Sequence, residues 1–152
     1  MSDAKTLLLS LRPRFARAIL EGSKTVDVRR RPMRAYPGSA VVLYSAAPVM
    51  AIVGIARVAK TSVASADEVW EHHRDAVALD RAELDAYLDG RVAHLLHLEG
   101  VRSLNPPVAI GGIGNMLGFR APQSFRYLSE CDPPEVRALV ADLRPVPDHH
   151  SQ

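Results

Sequence analysis

Three side chains of complementary chemistry fall within six residues: Lys24, Asp27 and Arg29, in the run KTVDVR. An amine, a carboxylate and a guanidinium this close together can treat one polar ligand in three ways. Lys24 can act as a base if burial lowers its pKa, or it can meet a phosphate as a point charge. Asp27 can accept a hydrogen bond from the exocyclic amine of a base. Arg29 can fork onto phosphate oxygens. An internal ion pair is the structural alternative for all three. Arg12 and Arg14 flank Pro13 at the start of an expected helix. Cations there oppose the helix dipole, and an anion bound at the free N–H groups relieves that opposition. Tyr44 and Ser45 end an apolar run and offer a stacking ring and a hydroxyl, or else core packing. Gln123, Ser124 and Arg126 supply further donors near the end of the chain. The expected ligand-binding set is Ser10, Arg12, Lys24, Asp27, Arg29, Tyr44, Ser45, Gln123, Ser124 and Arg126. Lys24 and Asp27 are its catalytic pair if the protein is an enzyme.

These residues need elements to position them. Thr6–Leu11 reads as a buried strand, and Arg12-Pro13 as the turn out of it. Phe15, Ala16, Ile19 and Leu20 share one face of a helix over Pro13–Glu21. Gly22 is placed to take the left-handed conformation that ends it. From Lys24 onward the side chains alternate with the period of a strand. Lys24, Val26, Val28 and Arg30 then share one face, and Thr25, Asp27, Arg29 and Arg31 the other. Ser39–Ala46 and Met50–Lys60 read as wall strands, the second bent at Gly54. Ser65 with Glu68 and Asp80 with Glu83 form capping boxes. They predict helices over Ala66–Arg74 and up to Leu88, with Val69, Trp70, Leu84, Tyr87 and Leu88 turned inward. Arg91–Glu99 is compatible with a strand, and Ser103–Pro107 is expected to break the chain. A glycine-rich loop over Val108–Phe119, a last strand within Pro122–Leu128, a helix over Pro133–Leu143 and a polar tail complete the reading. The expected organisation is one domain, residues 1–152, with its core at 6–128, a helical insertion at 65–90 and a tail at 144–152.

Composition excludes several classes. A hydrophobic content of 47% with 24% charged residues is that of a globular chain, not a disordered one. One cysteine, Cys131, permits no internal disulfide and fits a reducing compartment. The apolar run before Ser10 is too short for a signal segment or a membrane span, so a cytoplasmic protein with no membrane partner is expected. Charge is segregated. Residues 12–34 carry eight Lys/Arg against two Asp/Glu, and residues 67–89 carry eight Asp/Glu against two Arg. The first block can steer an anion such as nucleic acid. His72-His73, His94, His97 and His149-His150 lack Cys or carboxylate partners at ligand spacing, so no metal and no cofactor are expected. The glycines at 111–114 are not followed by Gly-Lys-Ser/Thr, which excludes a phosphate loop of that type.

Four segments agree in order with one family: SLRPRFARAILEGSKTVDVRR, SAVVLYSAAPVMAIVGIARV, EVWEHHRDAVALDRAELDAYLDG, and PPVAI followed by APQSFRYL. Over roughly residues 6–128 the chain resembles the ASCH domain of the PUA-like superfamily, in the subgroup described as predicted transcriptional regulators. The resemblance implies an α+β fold: a small, mostly antiparallel β-barrel with flanking helices and a helical insertion. It also implies a relationship to proteins that bind RNA, some reading modified bases in a cleft. One ASCH branch resembles an amidohydrolase that deacetylates N4-acetylcytidine. Its motif is K-T-x-T-x-R, with the lysine as base, the second threonine as nucleophile and a glutamate further on. Here Lys24 and Arg29 match, but Asp27 replaces the second threonine and removes the hydroxyl nucleophile. The first expected function is therefore binding of RNA or a modified nucleotide in a basic cleft. Arg12, Lys24 and Arg29 would meet phosphate or sugar, and Asp27 a base edge. The alternative is a hydrolase acting on a modified nucleoside or on RNA, with Lys24 as base and Asp27 or Glu68 as partner. A DNA-binding regulator comes third, since the sequence has no helix-turn-helix pattern.

Overall fold

Leu7, Leu8 and Leu9 leave no side of their strand free for water, and all three are fully buried. They open β1 (Leu7–Leu11) in a computed structural model that describes residues 5–109 and 119–141. There follow α1 (Pro13–Glu21), β2 (Val26–Arg29), β3 (Ala40–Ser45), β4 (Ala51–Ala64), α2 (Ala66–Val77), α3 (Arg81–Leu88), β5 (Ala93–Ala109), β6 (Phe125–Tyr127) and α4 (Pro134–Ala138). The strands form one mixed sheet in the order β2-β5-β4-β3-β1-β6. Only β1 and β3 run parallel. The sheet curls into a half-barrel, so the architecture is the α+β, PUA-like one expected. No helix among the described residues is long and apolar enough to cross a membrane.

Parallel neighbours need a crossover. The chain between β1 and β3 supplies it, and this segment carries the whole basic block. Within it, Pro13 stands at the first turn of α1, where its missing N–H costs nothing. Ala16 and Ile19 point inward, and Gly22 ends the helix with φ at +92°. Alternation along the strands divides the apolar residues between two sides. Leu7, Leu9, Leu11, Val41 and Leu43 pack under α1 with Ala16 and Ile19. Leu8, Val42, Tyr44 and Ile52 pack with Phe119, Val136 and Val140 on the other side. The pair α2–α3 covers Val26, Val28 and Leu95 with Val69, Val77, Leu84 and Leu88. Both capping boxes form as the sequence predicted, at Ser65 with Glu68 and at Asp80 with Glu83.

Some expectations shift. β2 begins at Val26 rather than Lys24, and all four of its residues are buried. β4 runs on to Ala64. Ser103–Pro107 does not end β5: the ladder pairs Ile52 with Val108 and next pairs Gly54 with Ser103. Residues 104–107 are taken up opposite Val53, a bulge that lets two prolines sit in a strand without breaking it. α4 is shorter than Pro133–Leu143, although Leu139 and Val140 still pack on the core. Most of the expected glycine-rich loop and the polar tail, residues 110–118 and 142–152, lie outside the described residues.

The two ends of the sheet, β2 on one side and β1–β6 on the other, are joined by a side chain. Arg29 on β2 donates Nη2 to the Ser10 carbonyl at 3.2 Å and Nη1 to the Ser124 carbonyl and Oγ at 3.1 and 2.9 Å. Removing it would leave Asp27 buried without its cation. Arg29→Met is expected to cost about 3–5 kcal/mol, read from the shift of the urea midpoint. An unchanged midpoint would show that this bridge does not hold the sheet ends together. Gly54 makes a second demand. A Cβ there would lie 2.6 Å from Leu20 Cδ2 and 2.9 Å from the Arg102 carbonyl oxygen. Gly54→Ala is expected to destabilise by about 1–3 kcal/mol through overpacking beneath α1, and thermal melting checks it.

Candidate functional site

A solvent-filled hollow of about 610 Å³ opens between the start of α1, β2, α3 and the segment at 123–124. Lys24, Asp27 and Arg29 all line it, with Ser10, Arg12, Gln123 and Ser124. Seven of the ten residues expected from the sequence therefore meet in one place. The strand alternation put Lys24 and Asp27 on opposite faces. They share the hollow because Lys24 lies before β2, held by its own N–H to the Ala18 carbonyl.

Lys24 is 2% exposed, yet it borders the hollow. Its Nζ donates to the Val77 carbonyl at the end of α2 and lies 4.9 Å from the centre of the Phe15 ring. Loss of hydration lowers its pKa from 10.5 to about 8. The Asp27 carboxylate works against that shift, while Arg29 and Arg14 add to it. An amine in this state carries a substantial neutral fraction near physiological pH.

Asp27 and Arg29 form a side-on pair. Nε donates to Oδ2 at 2.5 Å and Nη2 to Oδ1 at 3.2 Å. With the bonds to Ser10 and Ser124, all five N–H donors of the guanidinium are committed. Burial opposes the charge on Arg29, and the Asp27 carboxylate more than restores it, so its pKa rises. Arg29 holds the wall of the hollow and keeps no donor for a phosphate. The carboxylate of Asp27 favours the charged form of Lys24, but its hydrogen bonds go to Arg29.

Two more cations stand at the rim. Arg12 is exposed and has no ion-pair partner among the described residues. Arg14 stacks 4.3 Å from the Phe15 ring centre and bonds Glu83 across the mouth. Glu83 divides its carboxylate: Oε1 accepts from the Asp80 N–H, and Oε2 accepts from Arg14. These two bonds, the backbone one first, hold its pKa below the ordinary range.

Three expected residues lie elsewhere. Tyr44 is core, its ring 6.2 Å from that of Phe119, and it does not reach the hollow. Ser45 is buried opposite Leu11 in the β1–β3 ladder. Arg126 borders an adjoining smaller hollow, and both Nη atoms bond Asp132, at 2.9 and 2.7 Å. Glu68 serves the α2 cap and is not among the residues of the hollow. Sequence reading missed Arg30 and Tyr87, which line the hollow, with Arg30 stacked 5.1 Å above the Tyr87 ring. A signal existed: Glu83, Ala86 and Tyr87 share a helical face beside the buried Leu84–Leu88 stripe.

Comparison with known proteins identifies the family and the fold. The family described as Domain of unknown function (DUF365) matches residues 6–118. A Zymomonas mobilis protein named ASCH domain-containing ribonuclease is 24% identical over 144 residues, 93% of this chain and 96% of the relative. The crystal structure of ASCH from Zymomonas mobilis superposes with a TM-score of 0.80 at 26% identity, over 91% of this chain and 95% of that one. A serine-to-alanine variant of the Zymomonas mobilis protein gives a TM-score of 0.79 at 25% identity, over 92% and 97%. On these matches the chain belongs to the DUF365 family and is an ASCH domain protein of PUA-like fold.

Proposed function

We propose that this protein binds RNA in the hollow and cuts it, with Lys24 as the base. The observation that carries the reading is a buried amine of pKa about 8 on the wall of a solvent-filled cavity with arginines at its rim. The name of the Zymomonas mobilis relative, a ribonuclease, supports RNA as the substrate. So does the basic crossover around the cavity. The neutral Lys24 amine takes the proton of a ribose 2′-hydroxyl. That oxygen attacks the neighbouring phosphorus, the bond from phosphorus to the 5′ oxygen breaks, and the departing oxygen takes up a proton from water, while Lys24 later returns its own to solvent. The products are a 2′,3′-cyclic phosphate end and a 5′-hydroxyl end. Arg12, and Arg14 released from Glu83, face the charge that builds on the phosphoryl oxygens. DNA lacks the 2′-hydroxyl and cannot follow this route. Cytoplasmic action is in keeping with the exposed free thiol of Cys131.

Binding without cutting is the second reading, favoured by the bond from Lys24 Nζ to the Val77 carbonyl. Deacetylation of N4-acetylcytidine finds less support, because Arg29 occupies both oxygens of Asp27 where that chemistry uses a hydroxyl. For a DNA-binding regulator, the exposed acid on α2 and α3 would repel a duplex.

Two measurements test the reading. Lys24→Met is expected to slow cleavage of a labelled single-stranded RNA by about 10²–10⁴-fold, the usual worth of a general base. Intact RNA with the wild-type protein, in the presence of tight binding, would leave only the second reading. The pH profile has a defined sign. Below pH 8 the free-amine fraction grows with pH, so the wild-type rate should climb about tenfold per unit and flatten above about 8. A rate that falls as pH rises from 6 to 8 would remove Lys24 from the role of base.

A further inference from the structure

The smaller hollow beside the first has a different make-up. It holds about 510 Å³, and four arginines line it, Arg30, Arg31, Arg91 and Arg126, with no carboxylate among the lining residues. Arg126 is committed to Asp132. The other three have no ion-pair partner among the described residues. Two of them lie on aromatic rings: Arg30 over Tyr87 and Arg31 over Phe125, each 5.1 Å from the ring centre. A guanidinium laid on a ring is partly ordered before any ligand arrives, and its N–H edge stays free for oxygen acceptors.

The two hollows share Arg30, Tyr87, Gln123 and Ser124 as lining residues. They adjoin, and Tyr87 with its stacked arginine stands at the junction of any track through both. The larger compartment holds an amine, two carboxylates and cations. Among the described residues the smaller is lined by cations and rings, with no base or acid, so it can hold a ligand without transforming it. A ligand filling both would carry negative charge beyond the reacting group, spaced along a chain.

We infer that the smaller hollow holds the phosphate following the one at Lys24, so that the substrate is a linked RNA chain and not a nucleoside or mononucleotide. Arg31 and Arg91 grip that phosphate. This inference rests on the RNA reading of the larger hollow and specifies which RNA that hollow accepts.

Oligouridylates of one to four nucleotides, each with a 3′-phosphate, test it. They compete with a fluorescent tetramer at pH 6, where Lys24 is protonated and turnover is suppressed. Wild-type affinity should rise about tenfold or more between one and three nucleotides. In the R31A/R91A variant this gain should shrink to about twofold or less, and the salt slope should flatten by about 0.7 for each lost phosphate contact. Both side chains are exposed, so a melting curve matching wild type is expected alongside. A wild-type affinity that does not grow with length overturns the inference, and so does an equal gain in both proteins. Lys24-dependent cleavage is scored separately. Cleavage with length-independent binding refutes the track and spares the reaction, whereas a length gain lost in the variant without any cleavage upholds the track and refutes the reaction.

Discussion

The structure depends on one buried guanidinium. Arg29 stands where a curling sheet stops short of closure, and it spans that gap with hydrogen bonds from a single side chain. A backbone ladder would have sealed the gap along its length. A side chain joins the sheet ends at one point and leaves space above and below. The hollow is that space. Burying the guanidinium is tolerable because Asp27, two residues earlier on the same strand, supplies the opposite charge at contact distance. The pair thus holds the fold and also puts a carboxylate in the hollow that Lys24 borders.

Burial sets the state of the amine, and that carboxylate tempers it. Burial drives the Lys24 ammonium toward its neutral form, and Asp27 limits how far it goes. The carboxylate bonds Arg29, and the partners Lys24 itself meets are a carbonyl and a ring face, which are weaker partners for a cation. The segregation of charge along the sequence has its explanation in the same place. The basic crossover and the acidic helices face each other across the opening, and Arg14 with Glu83 closes the contact.

Much of this was legible in the sequence, for definite reasons. Capping boxes at Ser65 and Asp80 are local signals that tertiary packing has no cause to override. The KTVDVR run announced a strand and a charged cluster together. What the sequence could not convey was commitment. Arg29 looks like a phosphate ligand until its donors are counted, and that count depends on Ser10 and Ser124, which reach it only through the fold. Tyr44 looks like a platform at a strand end until Phe119 and α4 cover that side of the sheet. Ser103–Pro107 looks like a terminus because proline removes ladder donors, yet a bulge opposite Val53 absorbs it. Tyr87 was assigned to a helical core because its neighbours Leu84 and Leu88 belong there, one face over.

The helical excursion leaves β4 at Ala64 and rejoins the sheet at Ala93, and those two residues are ladder partners. Its entrance and exit are thus one strand spacing apart, the geometry of an ordinary hairpin end. A lineage could trim the excursion to a tight turn, or lengthen it, without disturbing a single rung of the ladder. Such a trimmed descendant would keep the ladder but would need new cover for Val26, Val28 and Leu95, and would lose Glu83, Tyr87 and the carbonyl that receives Lys24. Inheritance of this architecture therefore does not guarantee inheritance of its chemistry, and the length of that one detour is where the two part company.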